Sequence, residues 1–81
     1  MNWDQVQGKW KQLTGQAKTR WGKLTDDDLK VIAGERDKLI GRIQERYGIA
    51  KEQAQQEVDE WNASLHRENE NEREQAERKA S

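Results

Sequence analysis

The side chains able to do chemistry are few in this 81-residue chain, and their spacing limits what they can do. There is one His, His66, no Cys, and Ser stands only at positions 64 and 81. Catalysis asks for a nucleophile beside a base, or for tuned acid and base groups converging on one substrate atom. His66 instead opens the charged run 66–81, with no second His at a zinc-ligand spacing and no thiolate to complete a metal site. Asp26-Asp27-Asp28 is the longest uninterrupted run of carboxylates. Successive helical residues project about 100° apart, so these three do not converge on one cation. They suit a helix start instead: Thr25 can accept from the Asp28 N–H, the Asp28 carboxylate reaches back, and Asp26 and Asp27 face the positive end of the helix dipole. The expectation is a protein that is not an enzyme, with no cofactor, no metal and no small-molecule substrate implied.

Binding chemistry has more to work with. Lys9, Lys11, Lys18, Arg20 and Lys23 accompany Trp3, Trp10 and Trp21, and cations beside exposed aromatics can track phosphate and stack bases. Residues 1–25 carry five Lys/Arg against one Asp, a balance of +4, while 26–81 carry −5, which gives a basic amino-terminal face on an acidic body. Gly48-Ile49-Ala50-Lys51-Glu52-Gln53-Ala54 resembles the helix-hairpin-helix pattern whose backbone N–H groups hold a DNA phosphate, with Ala50 replacing its second Gly and Glu52 adding negative charge. The Trp side chains lie on the expected core stripe, and a pI near 5.8 is far from the basic balance of nucleic-acid modules. Weak, non-specific nucleic-acid binding is therefore the alternative, and the five basic residues are the candidate nucleic-acid or partner contacts.

Helices must position these groups. Trp3, Val6, Trp10, Leu13, Ala17, Trp21 and Leu24 recur at three- and four-residue spacing on one stripe of a first helix, which Gly22 is expected to cap. A short second helix starts at Thr25 and carries Leu29, Ile32 and Ala33 inward, and Gly34 marks a junction. The third runs from about Glu35 to Tyr47, with Leu39, Ile43 and Tyr47 inward, Ile40 flanking, and Gly48 as its cap. The fourth carries Ala50, Ala54, Val58, Trp61 and Leu65. The all-α domain thus spans 1–65, and the tail 66–81, with only Ala76 and Ala80 apolar, either extends the last helix or frays into disorder.

With 31% apolar and 38% charged residues the chain builds one small core at most. Its first residues lack the basic start and apolar stretch of a secretory signal, and no run reaches membrane-spanning length, so the expected location is cytoplasmic. A shift of 26 residues superposes Gly8 on Gly34, Leu13 on Leu39, Gly15 on Gly41, Arg20 on Arg46 and Gly22 on Gly48, which reads as a duplicated helical hairpin. Gly8, Gly15 and Gly41 are either tolerated inside helices or there to let a partner approach closely or to keep the helices labile.

Gly8-Lys-Trp-Lys-Gln-Leu-Thr-Gly15, Trp21-Gly-Lys-Leu-Thr-Asp-Asp-Asp-Leu29 and Gly34-Glu-Arg-Asp-Lys-Leu-Ile-Gly41-Arg-Ile-Gln-Glu-Arg-Tyr-Gly48 follow one another in order. Together they resemble the CsbD-like family of bacterial stress-response proteins over about residues 2–62. The tail exceeds the usual family pattern, and several of the family's Gly-Lys pairs stand here as Gly-Gln, Gly-Glu or Gly-Arg. The resemblance implies induction in the general stress response and a bundle of two hairpins packed at a steep angle, similar to a SAM domain. It implies no chemistry. The protective composition, rich in charge and glycine and free of cysteine, resembles that of hydrophilins, and an unknown protein partner is the other non-catalytic role.

Overall fold

The computed structural model describes residues 2–80, with side chains described for residues 2–65. The chain is all-α: α1 (Trp3–Gly8), α2 (Trp10–Arg20), α3 (Asp26–Ile32), α4 (Arg36–Tyr47) and α5 (Lys51–Ala80). What was expected of the tail's side chains concerns residues outside those described.

Local chemistry sets the boundaries. A capping box opens α1: the Gln5 N–H donates to Asn2 Oδ1 at 2.8 Å and the Asn2 N–H to Gln5 Oε1 at 3.1 Å. The stripe from Trp3 to Trp21 suggests one continuous rod, but the chain breaks at Lys9, whose φ of −108° and ψ of 12° lie outside the helical well. The break re-aims α1 so that Val6 is completely buried and Trp3 only half-buried, packed against the core's edge. Beyond Arg20 the chain leaves the helix at Trp21, with φ −123° and ψ 78°, and Gly22 does not take the left-handed conformation expected of a cap. The Trp21 N–H donates to the Ala17 carbonyl at 2.8 Å and the Leu24 N–H to the Trp21 carbonyl at 3.0 Å, so Trp21 and Leu24 form the turn and are driven into the core.

The core joins Val6, Trp10, Leu13, Ala17, Trp21 and Leu24 to Leu29 and Ile32 of α3, Leu39, Ile40 and Ile43 of α4, and Ala54, Val58, Trp61 and Leu65 of α5. Ile40 is buried and not merely flanking, whereas Ala33 and Ala50, expected inward, are exposed because both lie beyond the helix ends. At the centre, Trp61 meets Trp10 and Trp21 edge-on, with ring centroids 6.4 and 5.5 Å away.

Two residues take the left-handed conformation at the α3–α4 junction: Ala33, with φ 49°, and Gly34, with φ 80°. Gly48 caps α4 with φ 62°. A side chain pays about 1–2 kcal/mol to sit there, which glycine avoids. Ala33→Gly should therefore stabilise by about 0.5–1 kcal/mol, net of the extra unfolded-state entropy. Gly41→Ala, inside α4 with open space around its Cβ, should stabilise by about as much. Gly48→Ala should cost about 1 kcal/mol, and Gly22→Ala should change little. Urea midpoints of the four variants test this, and a large loss at Gly22 would restore the cap that the backbone does not show.

Candidate functional site

Asp28 is the buried charged side chain among the described residues, 2% exposed. It is the third residue of α3, where the helix still has free N–H groups. The Asp28 N–H donates to Thr25 Oγ1 at 3.1 Å and the Thr25 N–H donates back to Asp28 Oδ2 at 2.9 Å. The same carboxylate receives α4: Arg46 Nε donates to Oδ2 at 2.8 Å and Arg46 Nη2 to Oδ1 at 2.9 Å, with Arg42 Nη1 at 3.4 Å. Such a fork is the strongest form of a guanidinium–carboxylate pair. The Arg46 hydrogen bonds, then the Thr25 N–H, hold the Asp28 carboxyl well below the usual carboxylate range, against the opposing cost of burial. Asp28 is thus a fixed anion that caps one helix and ties down another, not a group poised to move a proton.

A depressed folded-state pKa means stability that is fully present above the unfolded value, about 4, and is lost as pH falls below it. Urea stability should accordingly decline below about pH 4. Asp28→Asn should lose about 1–3 kcal/mol at pH 7 and flatten the acid limb, because Arg46 and Thr25 then face a neutral amide. Equal pH slopes in the two proteins would contradict the Asp28 account.

The five amino-terminal cations do not form one face. Lys11 and Lys18 are seven residues apart and share a side of α2, while Arg20, two residues beyond Lys18, points the opposite way. Lys18 pairs with Asp26 of α3 at 2.9 Å, and this hydrogen bond lowers the Asp26 pKa. Arg20 reaches Glu60 of α5 at 3.4 Å and lies 5.9 Å from the Trp21 ring. Lys23 Nζ stands 5.0 Å from the Tyr47 ring, and its backbone N–H donates to the Tyr47 hydroxyl at 3.2 Å. Lys9 is exposed at the α1–α2 break, and Lys11 is exposed beside α3. Three of the five therefore hold α2 and its turn to neighbouring elements. Two of the three aromatics expected beside them are withdrawn: Trp10 and Trp21 are buried, with the Trp10 indole Nε1–H donating to the Leu29 carbonyl at 2.8 Å, while Trp3 is half-buried. At the other candidate phosphate cradle, Gly48 does turn the chain, but Ala50 stands before Lys51 and Glu52 occupies the first turn of α5.

Sequence reasoning found the Thr25–Asp28 box but missed Arg46. The 26-residue repeat gives no hint of it, since Arg46 corresponds to Arg20 but Asp28 corresponds to Ala54. The position of Asp28 at a helix start, with a second oxygen left to satisfy, was the available signal.

The class defined by this arrangement is a small all-α protein whose ionisable groups hold its helices to one another around a tryptophan core. The chain belongs to the CsbD-like family, whose model matches residues 4–56. It is 66% identical over 61 residues to a UPF0337 protein of Pectobacterium atrosepticum, covering 75% of this chain and 88% of that one. It is 57% identical over 61 residues to the UPF0337 protein YjbJ of Escherichia coli K12, with the same coverage of 75% and 88%. A UPF0337 protein of Pseudomonas aeruginosa is 55% identical over 65 residues, covering 80% of this chain and all of that relative.

Proposed function

We propose that this is a non-catalytic protein of the bacterial cytoplasm, accumulated under stress, that shields other macromolecules through its hydrophilic surface. The observation carrying this reading is how little apolar surface is offered: Val31, 46% exposed, is the exposed large apolar side chain among the described residues. A protein-docking surface ordinarily presents a contiguous apolar patch with aromatic anchors. Here the surface is a mosaic of both charge signs, including Arg36 forked onto Asp59 at 3.2 Å, Lys18–Asp26 and Arg20–Glu60. The tail 66–81 adds nine charged residues, and we take 1–65 as the unit that folds. The motifs shared with the CsbD-like family support the stress assignment.

Lactate dehydrogenase dried and rehydrated with this protein should keep several-fold more activity than with an equal mass of lysozyme. Recovery no better than with lysozyme would defeat the proposal. Duplex DNA titrated at physiological salt should bind no tighter than the roughly micromolar non-specific range. Submicromolar binding lost on changing Lys9, Lys11 and Lys18 to Gln would favour the nucleic-acid alternative instead.

A further inference from the structure

Between α2 and α3 lies a cleft of about 330 Å³, lined by Trp10, Lys11, Thr14, Asp26, Leu29 and Lys30. Its apolar lining is Trp10 and Leu29, and these two are tied together by the indole N–H to the Leu29 carbonyl. That bond consumes the one polar atom of the indole, so Trp10 offers only ring to an occupant. Lys11 stands on the α2 wall and Lys30 on the α3 wall, both exposed and neither in an ion pair among the described residues. Asp26, the cleft's acid, pairs with Lys18 at 2.9 Å, and Lys30 lies near enough to add a smaller attraction to the same carboxylate. The Thr14 hydroxyl donates to the Lys11 carbonyl at 3.0 Å, which leaves its oxygen free to accept.

We propose that this cleft binds a small amphipathic anion, its apolar body against Trp10 and Leu29 and its single carboxylate or phosphate head between Lys11 and Lys30. This goes beyond the protective role and does not depend on it. Charge decides the class: Lys11 and Lys30 line the cleft with Asp26 as its acid, and Lys18 pairs with that acid from outside, so the surplus charge facing an occupant is positive. Volume decides the size, since 330 Å³ lies at the small end of ligand sites. The wider groove of about 700 Å³ between α2 and α5 lacks this combination, because its cation, Arg20, already faces Glu60.

The test is an ¹⁵N-resolved titration of the full chain with 2-naphthoate, beside the neutral 2-naphthalenemethanol. Saturable shifts should centre on the Trp10 indole N–H, Thr14, Leu29 and Lys30, with a dissociation constant of roughly 0.1–1 mM for so small a ligand. The alcohol should bind at least fivefold more weakly. Lys11→Gln combined with Lys30→Gln should weaken naphthoate by about fivefold while the spectrum stays folded, and Lys51→Gln, remote from the cleft, should change nothing. Equal affinity for the alcohol, indifference to the double substitution, or shifts centred on Gly15 and Trp61 would each overturn the proposal.

Discussion

Gly34→Ala should cost about 2–4 kcal/mol, a large part of what a domain this small has to lose. Two penalties combine at this position. The backbone is left-handed, with φ at 80°, which alone costs a side chain about 1–2 kcal/mol. A Cβ there would also lie 2.7 Å from Gln7 Cα and 3.0 Å from Gln7 N, and both are backbone atoms of α1 that no rotamer change can move aside. Gly48 separates the two contributions, since its φ is also left-handed, at 62°, but nothing lies within 4 Å of its Cβ site. Urea unfolding followed by Trp fluorescence should show Gly34→Ala losing at least twice what Gly48→Ala loses. Equal losses would mean that α1 does not rest on the α3–α4 junction.

The largest effect belongs to Trp61→Ala, at about 3–5 kcal/mol. Trp61 is 4% exposed and is the ring that both Trp10 and Trp21 touch, so its removal takes away the aromatic contact of α5 with Trp10 and leaves two indoles facing a void. Stability of roughly 0.05–0.15 kcal/mol per residue gives about 4–12 kcal/mol for 81 residues, so this loss removes a large part of it and should lower the melting midpoint by more than about 10 °C. Trp61→Phe, which keeps an aromatic ring, should fold with an intermediate loss. A Trp61→Ala protein that melts cooperatively within a few degrees of the parent would contradict the tryptophan-centred core.

Much of this fold was legible in the sequence because its apolar stripes are simple. Leu39 and Ile43, or Ala54, Val58, Trp61 and Leu65, lie where a 3.6-residue period puts them, and all are buried. The Thr25 box was equally legible, since its chemistry is local. The break at Lys9 was harder to see: the stripe runs through it unbroken, and Lys9 carries no breaker signal of its own. The repeat did hold that information, because Gly8-Lys9 corresponds to Gly34-Glu35, the junction where α4 begins. Gly22 misled for the opposite reason. Its partner in the repeat, Gly48, is a left-handed cap, but in the first copy Trp21 has already left the helix to reach the core, so no cap is needed there.

The binding surface was less legible than the fold, because charge partners are set by tertiary placement. Counting five cations in residues 1–25 suggests one basic face. Their spacing on α2 sends Lys18 to Asp26 and Arg20 to Glu60, on opposite sides of the helix. Glu60 lies forty residues from Arg20, beyond the reach of any local rule. The cleft beside Lys11 likewise exists only once the fold brings α3 beside α2.

If protection comes from the generic hydrophilic surface proposed above, it does not depend on a dedicated basic face. Changing Lys9, Lys11, Lys18, Arg20 and Lys23 together to Gln should leave the chain folded, because the ion pairs of Lys18 and Arg20 and the ring contacts of Arg20 and Lys23 are exposed and contribute at most about 1 kcal/mol each. The measurement is the activity of lactate dehydrogenase recovered after drying with this variant or with the unaltered protein at equal mass. With a generic protective surface the two recoveries should lie within about twofold of each other. Loss of most of the protection on removing these five charges, from a variant that remains folded, would contradict it and place the function on the amino-terminal cations.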